Sequence, residues 1–237
     1  VKTVAAKSQA QGLKGSNSFS RKEADRSFAV ALQSFQNREF EKALQALNDF
    51  LRSNPMHFDG IHLLGIVQAK LNLLNDALVS FTKAHAINPK DLGMLTNYGL
   101  LLLRAGEHPK AKEIYSSLID SKHDLIQSLL HRAQAHQGLN EIDLCLADVL
   151  SAIRLEPSNL ELKFQLALAL FQFGRFDQAK IELNELLNSG YGNGQAFNLL
   201  GRIAVHEKNY SDAIEWFRRT LAQESRQFDA LLGMGIS

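Results

Sequence analysis

Cysteine is nearly missing from this chain of 237 residues: Cys145 stands alone. That excludes an intrachain disulfide and any metal site built from several thiolates. Proline is scarce, with four residues, which suits a chain that is mostly helix. Neither sign of charge is in surplus. With 26 Lys+Arg against 25 Asp+Glu, no global field draws the chain to nucleic acid or to an anionic membrane. No stripe of aromatics interleaved with basic residues offers a stacking platform for single strands. No run approaches the ~18 apolar residues that cross a bilayer, and the N-terminus has no apolar signal-peptide core. A cytoplasmic setting fits the single cysteine; a periplasmic one would require that a signal has been removed. A Gly-rich phosphate loop, G-x-S-x-G and H-E-x-x-H are all missing too. No catalytic residues and no cofactor are expected.

What is present is a period. Pro55 and Pro89 lie 34 residues apart, and Pro157 two such steps further on. The same step through Ala43 meets Ala77, Ala111, Cys145, Ala179 and Ala213; through Ala31 it meets Gly65, Gly99, Ala133, Ala167, Gly201 and Gly235. A small residue once per helix marks a close helix crossing, where atoms beyond Cβ would push the axes apart. Larger apolar residues keep the same phase, in one register Leu47, Phe81, Tyr115, Val149, Leu183 and Phe217. A second runs through Val30, Leu64, Tyr98, Leu166, Leu200 and Met234, and Arg132 breaks it. Apolar spacing is interrupted near Asn72, Gly106, Asn140, Gly174 and Lys208, so each repeat divides into two amphipathic helices. Residues 1–23 read as a flexible leader. Six repeats follow at about 24–57, 58–91, 92–125, 126–159, 160–193 and 194–227. The first helix of a seventh is expected from Phe228. The last residues, LLGMGIS, stop inside that helix, and the chain starts on Val1. We therefore expect a piece of a longer protein.

The best repeat reads FDGIHLLGIVQAKLNLLNDALVSFTKAHAINPKD, residues 58–91. With Leu64-Gly65, Ala77, Phe81, Ala84 and Pro89 in place, it resembles the tetratricopeptide repeat. The resemblance spans residues 24–237 and implies an all-α, right-handed superhelical solenoid of helix–turn–helix repeats. It departs at Arg132 and Cys145, and at His123, Tyr191 and Ser225 where proline is usual. More loosely, Phe28 and residues 57–69 resemble the first repeats of bacterial proteins in which such an array precedes a glycosyltransferase or sulfotransferase domain.

The resemblance implies a protein-binding scaffold whose first helices line a concave face. On that face it places His62, Lys70, Asn97, Arg104, His131, Gln134, Phe164, Gln165, Phe171, Asn198 and Arg202. Amides donate and accept together, which suits a peptide backbone. Phe164 and Phe171, like Phe28 and Phe35, are expected either to take apolar side chains of a ligand or to pack between helices. The carboxylate clamp of chaperone-binding relatives is matched only by Asn97, since His62, Ile66, Gln127 and His131 stand at its other positions. No metal is expected. His131 and His136 are five apart on a helix, which splays their rings, and Cys145 reads as a buried thiol at a crossing. The partner expected is a protein or peptide segment. Two alternatives remain: the substrate-recruiting part of a larger transferase, or an adaptor in pilus or secretion assembly.

Overall fold

The computed structural model describes residues 26–235, with side chains through Gln223. Its architecture is set by six turns. Arg38, Asn72, Gly106, Asn140, Gly174 and Lys208 all take positive φ, between 58° and 75°, at intervals of 34 residues. After each, the next N–H reaches back to a carbonyl five residues earlier, as in Glu39 to Ser34 at 2.8 Å and Leu73 to Gln68 at 2.9 Å. This left-handed closure satisfies the orphaned carbonyls of one helix and turns the chain into the next. Glycine and asparagine enter that region at little cost, but Arg38 and Lys208 carry a side chain that disfavours it.

The helices between these turns are α1 (26–36), α2 (Phe40–Ser53), α3 (Phe58–Lys70), α4 (Leu74–Ile87), α5 (Leu92–Arg104) and α6 (His108–Asp120). They continue with α7 (Leu125–Gly138), α8 (Ile142–Leu155), α9 (Leu160–Gln172), α10 (Phe176–Asn188), α11 (Gly194–His206) and α12 (Tyr210–Gly235). The all-α helical-repeat architecture is as expected. The first helices α3, α5, α9 and α11 start on a polar cap: Asp91 Oδ1 accepts from the Met94 N–H at 2.7 Å, and Asn193 Oδ1 from that of Ala196 at 2.8 Å. The chain separates into two compact bodies, one ending at His123 and the other beginning at Asp124. At that junction Asp124 itself has φ 41° and caps nothing with its side chain.

Each hairpin is closed by a small residue facing a large one. A Cβ added at Gly65 would lie 2.9 Å from the Phe81 ring, one at Gly99 2.7 Å from Tyr115, and one at Gly201 2.7 Å from Phe217. Where the large residue is aliphatic, as Leu47, Val149 or Leu183, the small one is Ala31, Ala133 or Ala167. Glycine thus accompanies a ring and alanine an aliphatic chain, because a flat ring laid across the crossing takes the room of a methyl group.

One boundary differs from expectation. A first helix of a seventh repeat should have begun at Phe228, but α12 runs unbroken from Tyr210 to Gly235. The earlier repeats end at Asn54, Asn88, Lys122, Glu156 and Gly190, where the chain leaves helical geometry or turns left-handed. Proline follows at 55, 89 and 157. The equivalent pair in the sixth repeat is Glu224-Ser225, and neither residue obstructs a helix. The leader proposed for residues 1–23 lies outside the described residues.

Candidate protein-binding face

The expected face is occupied differently in the two bodies. In the N-terminal one its polar groups are largely used up. Asn97 Nδ2 donates to His62 Nε2 at 3.1 Å, and Arg104 reaches the Asn72 side chain at 3.4 Å and the Ala69 carbonyl at 3.5 Å. His62 also packs edge-on against Phe81, and burial lowers its pKa despite Asp91 and Asp59 nearby. Lys70 stands exposed. Phe28 stacks on Phe50 with centroids 4.9 Å apart, and Phe35 lies 6.0 Å from Phe40. Both rings therefore serve helix packing in this body.

In the C-terminal body the first helices α7, α9 and α11 leave two open cavities. One, of about 390 Å³, is walled by Gln127, His131, Gln134, Gln137, Gln165 and Gln172 over an apolar floor that includes Cys145. The other, of about 790 Å³, lies between α9, α11 and the middle of α12, and its walls include Gln165, Asn198, Arg202 and Gln223. Gln165 and Leu168 border both, so the two adjoin at α9. Among the described residues the side-chain amides of Gln134, Gln137, Gln172 and Asn198 have no protein hydrogen-bond partner. Gln165 does have one, donating to Glu161 at 3.0 Å. Burial lowers the His131 pKa, opposed in part by Asp124, which favours a neutral ring able to donate and accept.

Of the two roles expected for Phe164 and Phe171, the structure favours packing. Phe164, offered as a ring for ligand side chains, is only 5% exposed and belongs to the core of its body. Tyr191, standing where other repeats have proline, lies over it with centroids 5.9 Å apart and covers it. Phe171 is half-buried, and the Arg202 guanidinium lies over its ring at 4.5 Å. Its ring thus supports a cation on the face. Thr220 and Gln223 close one end of the larger cavity and were not foreseen, since they sit on a second helix. Asn193 was missed because its position reads first as a helix cap, which it also is.

Of the residues considered for metal binding, His131 and Cys145 line the smaller cavity, whereas His136 lies outside it and is paired. Arg132, which breaks the apolar series, makes a two-pronged pair with Asp148 at 2.7 and 2.8 Å. His136 Nδ1 is 2.6 Å from Glu141, and its Nε2 is 3.6 Å from Asp148. This partly buried network ties α7 to α8, and none of its members lines the cavity that His131 walls. Among the described residues no three His, Cys, Asp or Glu side chains gather as a metal site would need. Cys145 is buried, and that burial pushes its thiol up to about 11.

Comparison with known proteins agrees with this geometry. A family model for the tetratricopeptide repeat matches residues 164–230. Among curated relatives, human sperm-associated antigen 1 is 30% identical over 91 residues, 38% of this chain and 10% of that protein. Anaphase-promoting complex subunit 3 of Schizosaccharomyces pombe is 25% identical over 144 residues, 59% of this chain and 21% of the relative. The chain thus spans a small part of the relatives it matches. Of solved structures, PilW, a type IV pilus biogenesis factor, superposes with a TM-score of 0.66 at 17% identity, covering 85% of this chain and 94% of PilW. MamA from Desulfovibrio magneticus RS-1 gives 0.63 at 15% identity, covering 70% and 94%. These two are likenesses of fold.

Proposed function

We propose that this array of tetratricopeptide repeats, a scaffold for protein–protein interaction, holds an extended segment of a partner protein across α7, α9 and α11 of its C-terminal body. The carrying observation is a pair of adjoining cavities whose walls include the side-chain amides of Gln134, Gln137, Gln172 and Asn198, which have no hydrogen-bond partner among the described residues. An extended backbone presents a donor and an acceptor at every residue, and side-chain amides match both without regard to sequence. The N-terminal body, whose His62, Asn97 and Arg104 already satisfy one another or nearby backbone, supports the reading less. No chemical step is assigned to any residue of this chain.

The test is a comparison of faces. Gln134→Ala, Gln137→Ala and Asn198→Ala together remove three free amides from the groove. Each lost hydrogen bond to an uncharged group is worth about 0.5–1.5 kcal/mol, so partner affinity should fall roughly tenfold or more. A second protein carries Glu41→Lys, Lys42→Glu, Glu182→Lys and Glu185→Lys on second helices and should keep its partners. Captured proteins are compared at matched helicity. Loss of partners by the second protein alone would place the interaction on the opposite face.

A further inference from the structure

We propose that Arg202 selects an Asp or Glu side chain of the segment held in this groove. The proposal deepens the reading above and rests on it. Arg202 is exposed at the wall of the larger cavity and has no ion-pair partner among the described residues, whereas Arg132 and Arg175 each pair with a carboxylate. No carboxylate lines either cavity. Glu161, on the same helix as Phe171, is turned to Gln165 and to the Tyr191 hydroxyl. The groove therefore offers a cation whose countercharge must come from outside.

The cation is also held ready. Its guanidinium carbon lies 4.5 Å from the centre of the Phe171 ring, which supports the cation while its N–H groups remain able to meet a carboxylate in a two-pronged contact. A side chain already held by a ring gives up less freedom on binding than a free one. Asn198 lies one turn before Arg202 on the same face of α11, within reach of the backbone of the residue whose carboxylate meets Arg202. Arg202 lines the larger cavity, which extends to Thr220 and Gln223 on α12 and adjoins, at Gln165 and Leu168, the smaller one that reaches Gln134 on α7. A segment held across both cavities meets Arg202 along its length, so the carboxylate is assigned to a side chain.

A phage-displayed library of random dodecapeptides panned on the whole chain supplies the probe. Peptides recovered on the parent should share one Asp or Glu at a fixed position. A synthetic copy should lose roughly ten- to hundredfold in affinity on Arg202→Gln, and as much when its own acid becomes the amide. Arg202→Glu should recover peptides with Lys or Arg at that position. Phe171→Leu, which keeps an apolar support but removes the ring, should cost about two- to fivefold. Peptides without a shared acid, or bound equally by Arg202→Glu, overturn the proposal. If such peptides still weaken on Gln134→Ala with Asn198→Ala, the groove stands and only the role of Arg202 falls. If those changes leave them unaffected, or if nothing is recovered, both readings fall. Loss of affinity on amidating the peptide's C-terminus would assign the carboxylate to a chain end and overturn the side-chain assignment.

Discussion

Replacing Gly99 by Ala tests the packing rule of the hairpins most sharply. The new Cβ would lie 2.7 Å from Tyr115 Cζ and 3.0 Å from Cε2 and Oη, about 1 Å inside ordinary contact. Tyr115 is 1% exposed, so its ring cannot swing into solvent to make room. Overpacking of this kind costs about 1–3 kcal/mol. Alanine in a helix interior returns about 1 kcal/mol over glycine, leaving a net loss of about 0–2 kcal/mol. Tyr115→Leu alone should destabilise by roughly 1–3 kcal/mol through the space it empties. Combined, the two changes reproduce the Ala167–Leu183 arrangement of the fifth repeat. The alanine should then stabilise, and the cycle should show a favourable coupling of about 1–3 kcal/mol. Urea unfolding of all four proteins, followed by circular dichroism, measures it. Additivity within about 0.5 kcal/mol would refute the claim that ring and methyl compete for one space.

Other consequences can be measured directly. Asp148→Ala should destabilise by about 3–5 kcal/mol because it strands Arg132, whereas Arg132→Leu with Asp148→Ile should recover most of that, as thermal unfolding would show. Lys208→Gly should raise stability by roughly 0.5–1 kcal/mol in a urea melt, since it relieves a side chain held at φ 60°. Burial raises the Cys145 pKa from 9.0 to about 11, so the unfolded chain releases this proton first; stability should fall as pH rises between those values, less steeply in Cys145→Ala. Burial lowers the His62 pKa below 6.5, so the unfolded chain takes up that proton first; stability should decline as pH falls below about 6.5, and His62→Asn should flatten the decline in an acid titration followed by circular dichroism.

Much of the fold was legible because its determinants are local and repeated. Left-handed turns fall at the interruptions around Asn72, Gly106, Asn140, Gly174 and Lys208, and the small-residue series marks the crossings. The end of the sixth repeat was not legible from phase alone. A period says where a helix could stop, but only a residue that disfavours helix makes it stop, and Glu224-Ser225 does not. Phase assigns residues to positions on the first helices but says nothing of how they pair. Asn97 and His62 lie 35 residues apart, and nothing in either repeat announces that they meet. Phe164 has the spacing of an exposed position but is covered by Tyr191, a residue noticed only as a departure from proline. Arg132 showed only as a break in an apolar series, because its partner Asp148 lies on the other helix of the hairpin.

The small-and-large pairs carry a consequence for how such a chain can change. Gly65 and Phe81, Gly99 and Tyr115, and Gly201 and Phe217 are each sixteen residues apart, lock and key within a single hairpin. A hairpin copied, deleted or moved by a multiple of 34 residues takes both halves with it, so its internal fit needs no renegotiation with new neighbours. The groove has no such privacy: Gln134, Gln165 and Asn198 come from three successive hairpins, and exchanging any one rewrites the surface that a partner meets. Shuffling repeats would therefore scramble recognition long before it threatened folding, which leaves the chain free to acquire a new partner without having to relearn its own shape.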